Sequence, residues 1–153
     1  MRCITIVLAG ILTIAARPDD KKFVVSKEEH EVIDLTNAER TAAGLAPLRA
    51  NEKLFAAARG HSANMAKQDK LDHELDEKTP ADRVKAAGYE FGRTGENIAW
   101  NQKTPADVLK AWMASDGHQA NILNDEYTEI GVAVSANDKG ERYWTQVFGK
   151  PLK

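Results

Sequence analysis

A chain of 153 residues is long enough for one domain, and a hydrophobic content of 42% is ample for a single packed core. The charged residues, 29% of the total, are of both signs and well mixed, which excludes a disordered polyelectrolyte. A net charge of -2 leaves no basic footprint for nucleic acid and none for holding an anionic membrane by charge alone.

The chain opens with Met1-Arg2, an apolar run from Ile4 to Ala15, small residues at Ala15 and Ala16, and a polar stretch over 17–22. That is the layout of a secretory signal peptide over residues 1–16, cleaved after Ala16. The apolar run is shorter than the roughly 20 residues of a transmembrane helix, so no integral membrane domain is expected after cleavage. Retention of the leader as an interfacial anchor is the alternative. The single cysteine, Cys3, lies ahead of the apolar run, so lipoprotein processing at that thiol is not expected. Cleavage gives a secreted or extracytoplasmic chain without disulfides, and at roughly 135 residues core packing can replace them.

Residues 17–26 read as a lead-in and 27–150 as the folded domain. Ser26 and Glu29 have the spacing of a capping box. Val32, Ile33, Leu35 and Ala38 then recur at helical spacing until Gly44 stops the helix. Residues 45–48 form an extended connection whose leucines dock on the core. Asn51 caps a second helix with Leu54, Ala57, Ala58, His61, Met65 and Ala66 on its inner face. After a polar loop over 72–78, Thr79-Pro80 starts a short helix that ends at Gly88, proline being favoured at the first helical position. Thr104-Pro105 repeats that signal with Asp107 near the positive end of the helix dipole, and Val108, Leu109 and Trp112 supply the apolar stripe. A further helical turn is predicted over 118–123. In the last third the period changes. Ile130, Val132 and Val134 alternate with small residues, and Tyr143, Thr145, Val147 and Phe148 follow a turn at 137–140, predicting a β-hairpin. Helices first and strands last indicate an α+β domain with helices packed on a small antiparallel sheet.

Residues 95–123 bracket one amphipathic helix between two polar clusters, Gly95-Glu96-Asn97 and Asp116-Gly117-His118. Glycine allows backbone turns that other residues resist, and an ionisable side chain beside such a turn is often held at a site. His73, Glu96, Ser115 and His118 are the candidates. Two imidazoles and a carboxylate could bind zinc or another divalent cation with a fourth position open. Their separations along the chain are far longer than the local spacing of a zincin or a zinc finger. The architectural alternative makes His73 a surface loop residue, His118 a helix-start residue and Glu96 an acceptor of backbone hydrogen bonds. Ser115, His118 and Glu96 also invite a hydrolase reading, which needs a base within about 3 Å of the hydroxyl and preorganised oxyanion donors. Ser115-Asp116-Gly117 reads more simply as the end of one helix and the cap of the next. His30 is expected in solvent, His61 as a hydrogen-bonded packing residue, and Trp112 and Trp144 in the core.

The order of motifs resembles the CAP superfamily, or SCP-like domains, which includes cysteine-rich secretory proteins, venom antigen 5 and plant pathogenesis-related proteins. The resemblance rests on Asn37-Ala38-Glu39-Arg40, the leucines around Pro47, His73, Gly95-Glu96-Asn97-Ile98-Ala99 and Ala111-Trp112. It continues through Gly117-His118, Ile130-Gly131-Val132, Tyr143-Trp144-Thr145-Gln146 and Phe148-Gly149. The absence of cysteine from the core and the His-x-x-Asn-Ile-Leu run are similar to the compact bacterial branch. The resemblance implies an α-β-α sandwich with a central cleft, lined in the family by two histidines and two glutamates that can hold a divalent metal. His73 matches the first histidine, Glu96 the first glutamate and His118 the second histidine, with Asn97 beside them. The second glutamate usually follows the helix tryptophan by three positions, and Ser115 stands there. At most a two-histidine, one-glutamate set remains, which Glu129 could complete only if the fold brings it close.

Two kinds of function follow from the resemblance. One is a secreted monomer that binds an extracellular ligand, a cell-envelope component or a sterol or other lipid, without catalysis. The other is a zinc-dependent hydrolase of peptide or cell-wall substrates, with Glu96 as general base on a zinc-bound water. The missing carboxylate favours the first.

Overall fold

A computed structural model of the chain describes residues 23–152. The signal peptide over 1–16, Cys3 and most of the lead-in lie outside the described residues. The predicted capping box is formed: Ser26 Oγ accepts from the Glu29 N–H and Glu29 Oε2 accepts from the Ser26 N–H, opening α1 (Lys27–Ala42). Asn51 caps α2 (Glu52–Gln68), and Thr79 caps α3 (Pro80–Ala86) with a second capping box through Asp82. Thr104 caps α4 (Pro105–Met113), and α5 (Asp116–Ile122) follows after a single break. That last helix begins two residues before the expected His118.

The strands are β1 (Arg49–Ala50), β2 (Phe91–Trp100), β3 (Glu129–Ala136) and β4 (Arg142–Pro151). Their order in the sheet is β1-β3-β4-β2, so β2 is an edge. The expected hairpin is β3–β4, and β2 pairs antiparallel with β4. The sheet is nevertheless mixed, because β1 pairs parallel with β3. β2 also corrects the order of helices first and strands last, since it lies between α3 and α4. Its sequence does not alternate: Gly92 and Gly95 interrupt it, and the adjacent polar residues Glu96 and Asn97 are both buried.

Alternation along the strands builds the α-β-α sandwich. Ile130, Val132, Trp144, Phe148 and Ala99 pack toward α1, α4 and α5. Ala133, Val147, Ile98 and Tyr143 face α2 and α3 on the other side. Trp112 and Trp144 are buried in the first of these layers, as expected. A Cβ on Gly131 would fall on the backbone of Leu54 and Phe55, so the first turn of α2 lies directly against β3.

Arg40, in the first helix motif, is 1% exposed. Its guanidinium donates to the carbonyls of Ala46, Ile122, Asn124 and Tyr127, tying α1 to the segments that lead into β1 and β3. Asn37 acts beside it, its side chain bonding both the N–H and the carbonyl of Leu48. Among the described residues no helix is long and apolar enough to cross a membrane.

Candidate functional site

Glu96 projects from β2 onto the α2/α3 face, where its side chain is 2% exposed. Such a carboxylate must find partners, because an unpaired buried charge is strongly disfavoured. Arg83, from α3, donates Nη2 to Glu96 Oε2 at 2.7 Å and Nη1 to the Lys78 carbonyl at 2.9 Å. His73, from the loop after α2, places Nδ1 2.9 Å from Glu96 Oε1. A carboxylate can only accept, so Nδ1 carries a proton in this bond and the ring is held in one orientation. The His73 side chain is half-exposed, so the ring lies where the cluster meets solvent.

His61 joins the cluster from α2. It is fully buried, with Nε2 3.7 Å from Glu96 Oε1. Neither ring nitrogen reaches a hydrogen-bond partner of normal length and angle among the described residues, which corrects the expectation of a hydrogen-bonded packing histidine. Burial holds its pKa below the ordinary histidine value against the opposing pull of Glu96. His118, on α5, is likewise held low, first by burial and then by the charge of His73. Both therefore favour the neutral ring. His30 stands in solvent on α1, as expected.

Asn97 points to the other face of the sheet and is fully buried. Its Nδ2 donates to the His118 carbonyl at 3.1 Å and to Gln146 Oε1 at 3.1 Å, while its Oδ1 accepts from Asn121 at 2.9 Å. Gln146 passes the network to Thr36 on α1. Asn97 is thus a tie between β2, β4 and α5 and presents no group to the cleft, a correction to its expected place there. Asn121 also donates to the Glu96 carbonyl, and the Trp112 indole donates to the Ile98 carbonyl. These two side chains cover the outward edge of β2.

Ser115 is the N-cap residue of α5, yet its hydroxyl makes no capping hydrogen bond. It lines a cavity of about 270 Å³ together with Leu71, Trp100, Gln102, Trp112 and His118. No hydrogen bond joins Ser115 to His118 among the described residues, so the serine lacks the base that a nucleophile requires. Glu129 does not replace the missing carboxylate: it accepts from the Tyr89 hydroxyl at 2.7 Å and from Asn51 at 3.2 Å, away from the Glu96 cluster.

Zinc held by His73, His118 and Glu96 does not fit this arrangement. Among the described residues no group of three or more His, Cys, Asp or Glu side chains is arranged to hold a metal ion. Both Glu96 oxygens are engaged, one by the Arg83 guanidinium and one by His73. A catalytic zinc site needs three protein ligands. The sequence reading missed Arg83 and the part played by His61. His61 was visible as the one ionisable group on an apolar helix face, whereas nothing in the spacing of Arg83 pairs it with Glu96.

Residues 33–148 match the model of the CAP family, described as the cysteine-rich secretory protein family. The chain belongs to this family. It is 44% identical over 125 residues to YkwD of Bacillus subtilis, covering 81% of this chain and 48% of that protein. An extracellular protein containing an SCP domain from Bacillus anthracis is 29% identical, with a TM-score of 0.75 over 89% of this chain and 44% of that one. An outer surface protein of Borrelia burgdorferi shares the fold, with a TM-score of 0.77 at 21% identity over 84% of this chain and 97% of that one. The chain spans less than half the length of both Bacillus proteins.

In this CAP domain the buried cluster works as a holder. The Arg83–Glu96 pair is formally neutral, and Glu96 is spent on fixing the His73 ring. The half-exposed His73 ring is thereby held in a fixed orientation at the surface of the cluster.

Proposed function

We propose that the protein is a secreted CAP domain that binds an uncharged ligand of the cell envelope outside the cytoplasm, as a monomer and without turning it over. One observation carries this reading: both oxygens of the only carboxylate in the cluster are occupied, by Arg83 and His73. A general base must lie within reach of the proton it removes, and Glu96, 2% exposed and engaged by Arg83 and His73, is shielded from a molecule outside the cluster. The extracellular and outer-surface settings of the Bacillus anthracis and Borrelia proteins, together with the leader-like first 16 residues, support the location.

Purified Bacillus subtilis sacculi offer a direct test. The protein should sediment with them, His73→Ala and His118→Ala should weaken retention, and no sugar or peptide should be released. Release of fragments by the unsubstituted protein, lost in the same variants, would replace the binding reading with a hydrolytic one. Lipid binding is a second reading. It is favoured by a groove of about 600 Å³ between α2 and α3 with Ala56, Gly60, Ala63 and Ala86 in its walls. Failure to extract labelled sterol or fatty acid from vesicles would remove it.

A further inference from the structure

The cavity beside His118 differs in kind from four larger cavities of the described residues. Those have lysine, arginine, aspartate or glutamate side chains in their walls. Here no such residue takes part, and His118, the single titratable group, favours its neutral form. An ionic ligand would lose its hydration and gain no countercharge. The occupant is therefore uncharged.

Its walls are apolar and aromatic. Trp112 closes the floor at 1% exposure, while Leu71 and Trp100 stand at the rim, each 45% exposed. An indole face left open at the mouth of a cavity offers a flat surface for an apolar or C–H-bearing face of a ligand. Polar atoms without partners meet this aromatic wall. Gln102 Oε1 is buried with no hydrogen-bond partner among the described residues, and the Ser115 hydroxyl makes no cap bond, unlike those of Ser26, Thr79 and Thr104. With the His118 ring the Ser115 hydroxyl gives the cavity polar atoms that call for hydrogen-bonding partners, and Gln102 Oε1, closed off in this conformation, would join them on rotation of its side chain. A purely hydrocarbon occupant would leave them unpaired, which disfavours it.

Size narrows the choice further. At about 270 Å³ the cavity, open at its mouth, matches one ring and would leave most of a sterol or a folded acyl chain outside it. A molecule with hydroxyl donors around its edge, a C–H face for stacking, no charge and the size of one ring is a neutral sugar.

We propose that this cavity is a subsite for one neutral pyranose ring of a glycan, stacked on Trp100 with its hydroxyl or acetamido donors on Gln102, Ser115 and His118. The proposal rests on the binding reading above and names the class of envelope ligand.

The test uses the whole protein labelled with ¹⁵N and titrated with tri-N-acetylchitotriose and, separately, cellotriose. The chain has three tryptophans, so three indole N–H signals report on the whole molecule. The Trp100 and Trp112 signals should move with at least one saccharide, while that of Trp144, bonded to the Gln102 carbonyl inside the core, should move least. Trp100→Ala, at a half-exposed position whose loss should not unfold the domain, should weaken binding roughly tenfold or more, as loss of an aromatic anchor does. Ser115→Ala should weaken it less. Absence of shifts at about 20 mM saccharide, above the millimolar range of weak specific binding, overturns the proposal. Undiminished binding by Trp100→Ala overturns it too, as does occupation by N-acetylphenylalaninamide or decanoate in place of the sugars. The two readings fail separately. Sacculus retention that survives Trp100→Ala removes the sugar subsite and leaves envelope binding intact. Trisaccharide binding without sacculus retention does the reverse.

Discussion

Replacing Arg83 with methionine would remove the guanidinium from Glu96 and keep most of the side-chain volume. The carboxylate, 2% exposed, would then retain His73 at 2.9 Å as its one close partner. Breaking a buried pair by deleting one member costs about 3–5 kcal/mol, because the survivor's charge is left uncompensated. Arg83 is itself 11% exposed, so little solvent screening reduces that figure. The His73 bond survives, but that ring is half-exposed and an ion pair reached through it is worth at most about 1 kcal/mol. The expected loss is therefore near the lower end, about 3 kcal/mol. With a urea m-value of about 2 kcal/mol/M for a domain of this size, the unfolding midpoint should fall by about 1.5 M. The buried Trp112 and Trp144 give a fluorescence signal for the transition. Glu96→Gln made in the Arg83→Met background should cost clearly less than it does alone, because the charge it removes is already unpaired. A loss below about 1 kcal/mol for Arg83→Met, the value of an exposed pair, would refute the reasoning. Strict additivity of the two substitutions would refute it as well.

Three more expectations concern the same core and cleft. His118 should titrate below the ordinary histidine value of about 6.5 by NMR. Because the unfolded state takes up that proton first, stability should fall as pH drops from the ordinary value to the folded one, and His118→Gln should remove that share of the slope; a His118 transition above the ordinary value would contradict the burial argument. Arg40→Met leaves the carbonyls of Ala46, Ile122, Asn124 and Tyr127 without their donor, and should lower stability by about 3 kcal/mol or more in a denaturant titration. Zinc at about 1 mM should leave the thermal midpoint unchanged, since a ligand without a native site adds nothing to stability; a rise that disappears in His73→Ala would show a metal site after all.

Much of the fold was legible because it is written in local signals. Ser26, Asn51, Thr79 and Thr104 each cap the helix that their spacing predicts, and the alternation from Ile130 to Phe148 gives the β3–β4 hairpin. β2 was hidden because its polar residues are satisfied from other parts of the chain. Glu96 takes Arg83 and His73, and Asn97 takes His118, Asn121 and Gln146, so neither face of the strand is apolar throughout. The two-residue β1 is too short to carry any period, and its pairing depends on where β3 lies. At the site, motif order pointed to His73 and Glu96, which the fold joins. Charge balance pointed to nothing, because the cation for Glu96 comes from an amphipathic helix on which an arginine is expected to be solvated.

The covered edge of β2 bears on how the chain avoids pairing with other copies of itself. A bare edge is a template for another molecule's strand, and proteins that last keep such edges short, charged or covered. Here one end of the sheet is a strand of two residues, and at the other the Trp112 indole and the Asn121 amide occupy the carbonyls of Ile98 and Glu96. Helices α4 and α5 therefore act as a guard against strand exchange between copies. Trp112→Phe, which keeps the aromatic bulk and deletes the N–H, would lift that guard at Ile98 while leaving the core nearly full. Fibre formation on concentration, more than loss of folding, would be the mark of such a variant.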